Sequence, residues 1–249
     1  MIRASSLLSV VVPAFNERAR IAATIHDLAR VLPGVAAAWE IRIVDDGSSD
    51  DTVALASAAG AVDPRIVIQR EPHRGKGGAV RAGMLASLGD RRLMCDADLS
   101  IRPHEIPAFV ALVPEACDIA IASREVPGAR RIGEPTYRHW MGRGFNWLVR
   151  ATTLPGVQDT QCGLKMFSAR AAEAVFPLVR TDGWAFDVEV LAVARRLSLR
   201  VREVPVEWHY GAVSRVSPVR DALGMTRELW AIRRRTRDLE RACQREDLR

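Results

Sequence analysis

The first half of the chain alternates short apolar runs with longer segments of helical periodicity, and this alternation restricts the fold more than any other feature. The apolar runs cover residues 7–12, 40–44, 65–69, 92–95 and 118–123. The helical patterns between them cover residues 17–32, 49–59, 77–88 and 103–113. Strands that alternate with helices of this length form βαβ units around a mostly parallel sheet. The sequence therefore predicts an α/β fold.

The second half of the chain is less regular but shows no break that would separate a further globular unit. Its patterns predict an amphipathic helix at 137–150, an extended segment at 158–167, helices at 169–176 and 186–197, a strand at 200–206, and one long helix from 218 to the end. A chain of 249 residues is long enough for one large hydrophobic core. We expect one domain over residues 1–215 and a C-terminal basic helix over residues 216–249.

The basic residues are almost all arginine. The chain has 36 basic and 30 acidic residues, a net charge of +6, and only two lysines, Lys76 and Lys165. A nucleic-acid-binding protein would need a continuous basic stripe with stacking aromatic residues. Aromatic residues make up only 6% of the chain and acids dominate the predicted strand ends, so we expect no nucleic-acid partner. Against this arginine bias, the two lysines are predicted to face a substrate.

Cysteine spacing and apolar length indicate the compartment. The four cysteines form no CxxC pair and have no zinc spacing, which favours a reducing, cytoplasmic setting. No segment approaches 18 uncharged apolar residues, so no membrane span is predicted. Residues 220–249 carry nine arginines and six acids beside an apolar stripe that includes Trp230. Such a helix could lie peripherally on the inner face of the cell membrane, pack on the domain, or join a homodimer.

Two aspartates follow the fourth predicted strand. In parallel sheets, ligands bind beyond the carboxyl ends of the strands. Asp96 and Asp98 alternate along an extended segment, so both carboxylates point to the same side. Two hard oxygen ligands suit Mg²⁺ or Mn²⁺ held partly by substrate phosphates. The alternative is a pair of solvated loop aspartates.

The ends of the second and third strands have two interpretations each. After the second strand, Asp46 could accept hydrogen bonds from a nucleobase, with Asp45 and Gly47 nearby, or the segment could be an ordinary turn and helix cap. After the third strand, glycines around Lys76 open a helix, where the backbone can approach a phosphate. Neither the dinucleotide fingerprint nor the Walker pattern is complete there.

The second half contributes further charged candidates. Asp187 lies among apolar residues and could be drawn into a dry site, or could belong to an acid-rich first turn of a helix. Arg124, Arg130, Arg131 and Arg138 lie between the fifth strand and the next helix. Guanidinium groups around one opening suit a second phosphate, separate from a nucleotide. A chance cluster is the alternative in a chain so rich in arginine.

Taken together, the motifs resemble glycosyltransferase family 2, which has the GT-A fold. Within it they look most like the dolichyl-phosphate β-glucosyltransferase and polyprenol-phosphate mannose synthase branch. The matching pieces extend from Val11 to Trp208 and read VVPAFNE, IVDDGSSDDT, HRGKGGAVRAGM, CDADLS, ASR, QDTQCGLKMF, GWAFDVEVL and REVPVEW. The pieces QDTQCGLKMF and GWAFDVEVL favour the glucosyl branch.

The resemblance implies an inverting transfer of a hexose, glucose in that branch, from a nucleotide sugar such as UDP-glucose to a polyprenyl phosphate. It implies a divalent metal on Asp96 and Asp98, and Asp187 as a candidate base. The nucleotide-sugar pocket would include Pro13, Ala14, Glu17, Asp45, Asp46, Gly47, Lys76, Gly77 and Asp96. The acceptor phosphate would lie near Arg124, Arg131, Arg138 and Lys165. A soluble hydroxyl acceptor and a GDP-mannose donor remain alternatives.

Overall fold

The structure, a computed structural model, describes residues 6–211 and 228–238; in helix α5 it does not describe the side chains of residues 137–139, 141 and 145. Its strands are β1 Leu7–Ala14, β2 Ala38–Asp45, β3 Ile66–Arg70, β4 Arg91–Cys95, β5 Ile119–Ser123, β6 Arg130–Ile132, β7 Leu164–Ser168, β8 Val201–Pro205 and β9 Glu207–His209. Its helices are α1 Ile21–Val31, α2 Thr52–Val62, α3 Lys76–Ala86, α4 Ile106–Leu112, α5 Thr136–Thr152, α6 Ala169–Val175, α7 Phe186–Arg196 and α8 at 228–238.

Seven of the strands form one central sheet in the order β3-β2-β1-β4-β7-β5-β8. Every neighbouring pair is parallel except those of β7, which runs antiparallel to both β4 and β5. The predicted mostly parallel α/β sheet is therefore confirmed. Strands β6 and β9 form a separate parallel pair, which the sequence analysis did not predict because three-residue strands are too short to show a period.

Helices cover both faces of the central sheet, which explains why its strands are continuous apolar runs. Val10, Val12 and Ile41 face one hydrophobic cluster, to which helices α1, α2 and α4 contribute. Val11 and Val44 face the other, which α3, α6, α7 and α8 cover. Alternate residues along each strand thus enter two separate cores.

Helix boundaries depart from the prediction where local hydrogen bonds compete with the helix. Helix α1 begins at Ile21 rather than at 17, because residues 18–20 form a turn in which the Arg20 N–H bonds to the Glu17 carbonyl, three residues back rather than four. The segment predicted as extended over 158–167 is a strand only from Leu164. The N–H groups of Gln158 and Asp159 donate to the carboxylate of Glu203, so they are not available to a strand ladder.

Only part of the predicted C-terminal helix lies within the described residues. Residues 228–238 are helical and pack on the domain through Leu229 and Ile232, both buried in the second core. Residues 216–227 and 239–249 lie outside the described residues, so the long amphipathic helix and its boundary at 216 stay predictions. Among the helices described, none is long and apolar enough to cross a bilayer.

Candidate active site

The carboxyl ends of β1 and β2 bring several predicted site residues to the same edge of the sheet. The register pairs Pro13 with Val44 and Ala14 with Asp45. The loops that follow these strands are joined by side-chain contacts. Asn16 donates its N–H to Ser48 Oγ at 2.8 Å, and its Oδ1 accepts the N–H of Ser49 at 2.8 Å. The sheet edge is therefore a preformed surface rather than a set of independent loops.

Glu17 and Asp45 also organise this edge. The N–H of Glu17 donates to Thr52 Oγ1 at 2.7 Å, and its carboxylate pairs with Arg20 at 2.6 Å. The carboxylate of Asp45 is buried and accepts the N–H of Ser48 at 3.2 and 3.3 Å. Gly47 has a φ of +74°, which places the left-handed turn where glycine tolerates it.

Asp46 holds the loop that leads into α3. Its two carboxylate oxygens accept the N–H groups of Arg74 and Gly75 at 2.8 and 2.9 Å. Nδ1 of His73 lies 2.9 Å from Asp46 Oδ2, and its ring stacks on Phe15 with 4.2 Å between centroids. The sequence analysis missed His73, and only its position three residues before Lys76 could have drawn attention to it.

Two glycines let the start of α3 approach the loop before α7. Gly75 has a φ of +118°, and a Cβ there would lie 2.6 Å from the Asp182 carbonyl oxygen. A Cβ on Gly77 would lie 2.4 Å from the carbonyl oxygen of Thr181, while the Gly77 N–H donates to Asp182 O at 2.8 Å. These contacts leave no room for a side chain, so the glycines serve protein packing as well as any ligand.

Lys76 lies at the centre of the edge and contacts the first aspartate after β4. Its Nζ is 2.6 Å from Asp96 Oδ1 and 2.8 Å from Oδ2. The rings of Trp184 and Phe186 lie 5.6 and 5.8 Å from the same nitrogen. Burial works to lower the pKa of Lys76, but the carboxylates of Asp96 and Asp187 outweigh it and raise that pKa, so the ammonium stays charged.

The side chain of Asp96 is more closely surrounded by protein atoms than that of Asp98. Burial raises the pKa of Asp96 despite the opposing charge of Lys76. Gly163 lies against this carboxylate, because a Cβ on that glycine would be 2.3 Å from Asp96 Oδ2. Asp98 is exposed, and its Oδ1 accepts the N–H of Ser100 at 2.9 Å.

The two aspartates fit a divalent metal that a substrate would share. Within the described part of the chain, no group of three or more His, Cys, Asp or Glu residues could hold a metal by itself. Asp96 and Asp98 supply carboxylate oxygens, which Mg²⁺ and Mn²⁺ prefer, and substrate phosphates commonly complete such a coordination shell. The exposed carboxylate of Asp98 leaves that side of the site open to a diphosphate.

Lys165, in β7, and Asp187, in the first turn of α7, form a buried ion pair. Nζ of Lys165 lies 2.6 Å from Asp187 Oδ1 and donates to the carbonyl of Cys162 at 2.7 Å. Both side chains are almost fully buried. The structure thus brings the predicted base and the predicted phosphate-binding lysine together, with the ammonium directed at the carboxylate.

Arg124 is bound by a buried carboxylate that the sequence analysis did not single out as its partner. Its Nε and Nη2 donate to the two oxygens of Asp159 at 2.7 and 2.9 Å, and its guanidinium lies 5.3 Å from the Trp208 ring. Burial alone would raise the pKa of Asp159, but the charge and hydrogen bonds of Arg124 lower it to about 2. Nη1 of Arg124 takes no part in this pair.

Of the other two arginines predicted to bind the acceptor phosphate, the structure describes the side chain of Arg131 but not that of Arg138. Arg131 lies beside Arg124, with its Nε 3.4 Å from the Arg124 carbonyl, and pairs with Glu125 and Glu134 at 2.6 Å each. Arg138 is in helix α5, but its side chain lies outside what the structure describes. Two of the three arginines therefore lie together, each with carboxylate partners.

Comparison with solved structures supports the fold. Glucosyl-3-phosphoglycerate synthase from Mycobacterium tuberculosis, in complex with Mn²⁺, uridine diphosphate and phosphoglyceric acid, superimposes with a TM-score of 0.70 at 22% identity. The match covers 94% of this chain and 80% of that chain. At this identity the likeness establishes a shared GT-A fold.

Sequence comparison identifies closer relatives. The dolichyl-phosphate beta-glucosyltransferase of Saccharomyces cerevisiae is 32% identical over 246 residues, covering 91% of this chain and 74% of the yeast protein. The human dolichyl-phosphate beta-glucosyltransferase is 33% identical over 243 residues, covering 92% of this chain and 75% of that protein. A Trichomonas vaginalis relative with the same description is 36% identical over 80% of this chain, which spans 63% of that protein.

The family model described as Glycosyl transferase family 2 matches residues 9–176, the part of the chain that contains β1, β2, β4 and the loops at their carboxyl ends. The resemblance first indicated by the motifs is thereby confirmed, as is the assignment of the chain to the glycosyltransferases. The chain belongs to glycosyltransferase family 2.

Proposed function

We propose that this enzyme transfers glucose from UDP-glucose to a polyprenyl or dolichyl phosphate, with inversion at the anomeric carbon and with the help of a divalent metal. The observation that carries the proposal is the 32–36% identity to dolichyl-phosphate beta-glucosyltransferases over 80–92% of the chain. The charged groups at the sheet edge agree with it chemically, because they can hold a diphosphate beside a buried carboxylate.

The donor would bind at the carboxyl ends of β1, β2 and β4. In this proposal Pro13, Ala14 and the loop after β2 contact the nucleoside, and Asp45 and Asp46 hold the surrounding backbone in place. Lys76 would transfer its contact from Asp96 to the donor diphosphate, while Asp96 and Asp98 hold Mg²⁺ or Mn²⁺. A bound metal would neutralise the charge of the departing diphosphate. The ammonium of Lys76 would stabilise the same developing charge.

The acceptor phosphate would need cations more than a base. A phosphate monoester has a second pKa of about 6 and is largely ionised at neutral pH, so it can attack without losing a proton to the protein. We assign its binding to Nη1 of Arg124, to Arg131 and to Arg138. Asp187, paired with Lys165, would orient groups near the reacting carbon, and with a hydroxyl acceptor it would be the candidate base.

A transfer assay with matched donors and acceptors tests the proposal. The purified chain, with Mn²⁺, should transfer glucose from UDP-glucose to a polyprenyl phosphate and give the β-linked product, and EDTA should stop the reaction. Thermal-shift measurements should show stabilisation by UDP-glucose and not by GDP-mannose. Transfer only to small soluble alcohols, or only from GDP-mannose, would contradict the proposed substrates.

A second set of variants tests the acceptor site. Arg124→Ala would leave Asp159 buried without its partner, so the paired variant Arg124→Leu/Asp159→Asn is the better probe. We expect this variant, and Arg138→Ala, to retain the UDP-glucose thermal shift but to transfer poorly to the lipid. Unchanged transfer in both would refute the assignment of these arginines to the acceptor phosphate.

A further inference from the structure

The loop before α7 exposes one large aromatic ring beside the proposed donor site. Trp184 is 38% exposed, whereas Ala185 and Phe186, which follow it, are buried. The centre of the Trp184 ring lies 5.6 Å from Nζ of Lys76, and the ring of Phe186 lies 5.8 Å from the same atom. Packing in the second core accounts for Phe186 but leaves part of Trp184 open to solvent. That part of the indole is available for contact with a ligand.

Contacts on three sides hold the backbone that carries Trp184. Its carbonyl accepts a hydrogen bond from Nε2 of Gln161 at 3.2 Å, and the carboxylate of Glu228 in α8 accepts the N–H of the residue that follows it. On the third side, the carbonyl of Asp182 accepts the N–H of Gly77 at 2.8 Å. A ring on a backbone held in this way loses little conformational freedom when it contacts a ligand. The loop is therefore suited to present Trp184 in one position.

A donor in the proposed site would bring its hexose close to this ring. In the proposed function Lys76 binds the donor diphosphate, and a single bridging oxygen joins the second phosphorus to the anomeric carbon. The hexose and the Trp184 ring would therefore both be neighbours of the Lys76 ammonium. Each face of a pyranose in its chair form carries axial C–H bonds, and these form an apolar surface that an indole ring can cover.

We propose that Trp184 is a sugar-binding residue whose ring covers the donor hexose on the side of the departing diphosphate. The side follows from Lys76, because the ring and the diphosphate would share that ammonium as a neighbour. In an inverting transfer the acceptor attacks from the opposite face, which the ring leaves open. The axial hydrogens on the covered face occupy the same positions in glucose, mannose and galactose, so the contact recognises a pyranose rather than one hexose. The inference rests on the proposed function for the presence of a nucleotide sugar.

Separate titrations with the nucleotide sugar and with the nucleotide test the assignment. Calorimetry with Mn²⁺ present gives the Kd for UDP-glucose and for UDP, and a change in their ratio reports the contribution of the sugar. We expect Trp184→Ala to raise the Kd for UDP-glucose about tenfold and to leave the Kd for UDP within about twofold of the wild type. Trp184→Phe keeps an aromatic face and should recover part of the loss. Trp230→Ala, which removes an indole that is 66% exposed on α8, is the matched control and should change neither Kd.

Two results would overturn the assignment. Equal loss of affinity for UDP and UDP-glucose in Trp184→Ala would show that the residue supports the loop instead of contacting the sugar. An unchanged Kd for UDP-glucose would exclude the contact. Trp184→Leu provides a second measurement if the alanine variant does not fold, because leucine keeps apolar volume in the loop but no aromatic face. It should show the same selective loss for UDP-glucose, and wild-type affinity in this variant would also refute the stacking contact.

The same titrations separate this inference from the proposed function. If the wild type bound GDP-mannose instead of UDP-glucose, the proposed donor would be wrong, and the Kd values for GDP-mannose and GDP would then decide the role of Trp184 in the same way. These titrations contain no acceptor, so failure of lipid transfer would contradict the proposed function without changing their outcome. If UDP-glucose bound to the wild type and to Trp184→Ala alike, the inference would fail while the proposed donor stood.

Discussion

Single residues in this protein take their roles from partners that lie far away in the sequence. The pair formed by Lys165 and Asp187 is the clearest case, because both side chains are buried and their charged atoms are 2.6 Å apart. Burying two charges is costly, and their mutual attraction offsets that cost only while both are present. The pair therefore links the stability of the domain to the position of Asp187.

We expect Lys165→Met to destabilise the fold by roughly 3–5 kcal/mol, because it leaves the Asp187 carboxylate buried without a cation. Urea unfolding measures the change. The control is Lys165→Met/Asp187→Leu, which removes both charges and should recover most of the lost stability. A single variant as stable as the wild type would show that Asp187 has another source of charge compensation.

Asp98 should behave in the opposite way, because it is exposed and its loss leaves no buried group without a partner. We expect Asp98→Ala to change the free energy of unfolding by less than about 0.5 kcal/mol and to lower metal-dependent transfer more than about 100-fold. Glu115→Ala, at an exposed carboxylate in the turn after α4, is the matched control and should keep full activity. Full activity in Asp98→Ala, together with no effect of EDTA, would refute the metal site.

At the scale of secondary-structure elements, the site depends on how closely α3 approaches the loop before α7. The sequence predicted helix α3 and the role of the glycines at its start, because the hydrophobic period and the glycine spacing are local properties. It did not predict that the carbonyls of Thr181 and Asp182 would occupy the space beside Gly75 and Gly77, because no local pattern records which loops meet. The sequence also did not predict that β7 runs antiparallel to its neighbours, because the pattern of an apolar strand does not depend on the direction in which the strand runs.

Two glycine-to-alanine changes distinguish the effect of a steric clash between elements from the effect of alanine's higher helix propensity. Gly77→Ala places a Cβ 2.4 Å from the Thr181 carbonyl oxygen, so we expect it to destabilise the protein by about 1–3 kcal/mol and to weaken nucleotide-sugar binding. Gly142→Ala, in α5, meets no atom within 4 Å and should stabilise the protein by about 0.5–1 kcal/mol. Thermal and urea unfolding check both, and equal effects would contradict the argument from packing.

The link between the end of β5 and the segment before β7 should weaken in acid. Because the pKa of Asp159 lies at about 2, below its ordinary value of 3.8, the folded state favours the ionised form. Its contribution of about 2 kcal/mol is present above pH ~4 and is lost as the pH falls from ~4 to ~2. We expect Asp159→Asn to be less stable than the wild type at neutral pH and to show a flatter pH dependence in that window. Urea unfolding at several pH values measures this, and parallel curves for the two proteins would contradict it.

At the scale of the whole molecule, many of the arginines lie in ion pairs with carboxylates from other segments of the chain. Ion pairs join Arg91 to Glu115, Arg92 to Glu173, Arg200 to Asp118 and Arg235 to Glu189. Within the described residues, each of these four arginines therefore has a carboxylate partner. The expectation of no nucleic-acid partner rests on the few aromatic residues and on the acids at the predicted strand ends, and it stays a prediction.

We therefore expect no nucleic-acid complex in a gel shift at physiological salt and about 1 µM protein, because non-specific binding of that strength needs many unpaired cations along the backbone. A polybasic DNA-binding domain of similar net charge serves as the positive control. A complex tighter than about 1 µM that weakens steeply with added salt would contradict this expectation.

The position of β7 between β4 and β5 has a consequence for synthesis on the ribosome. Strands β5 and β8 join the first four strands only through β7, so the sheet has a gap until residues 164–168 have emerged. Until then, β4 and β5 both present unpaired edges, which are templates for intermolecular pairing. A nascent chain stalled before residue 164 should therefore need chaperone protection for both strands. Emergence of β7 should protect β4, whereas β5 keeps one unpaired edge until β8, residues 201–205, has also emerged.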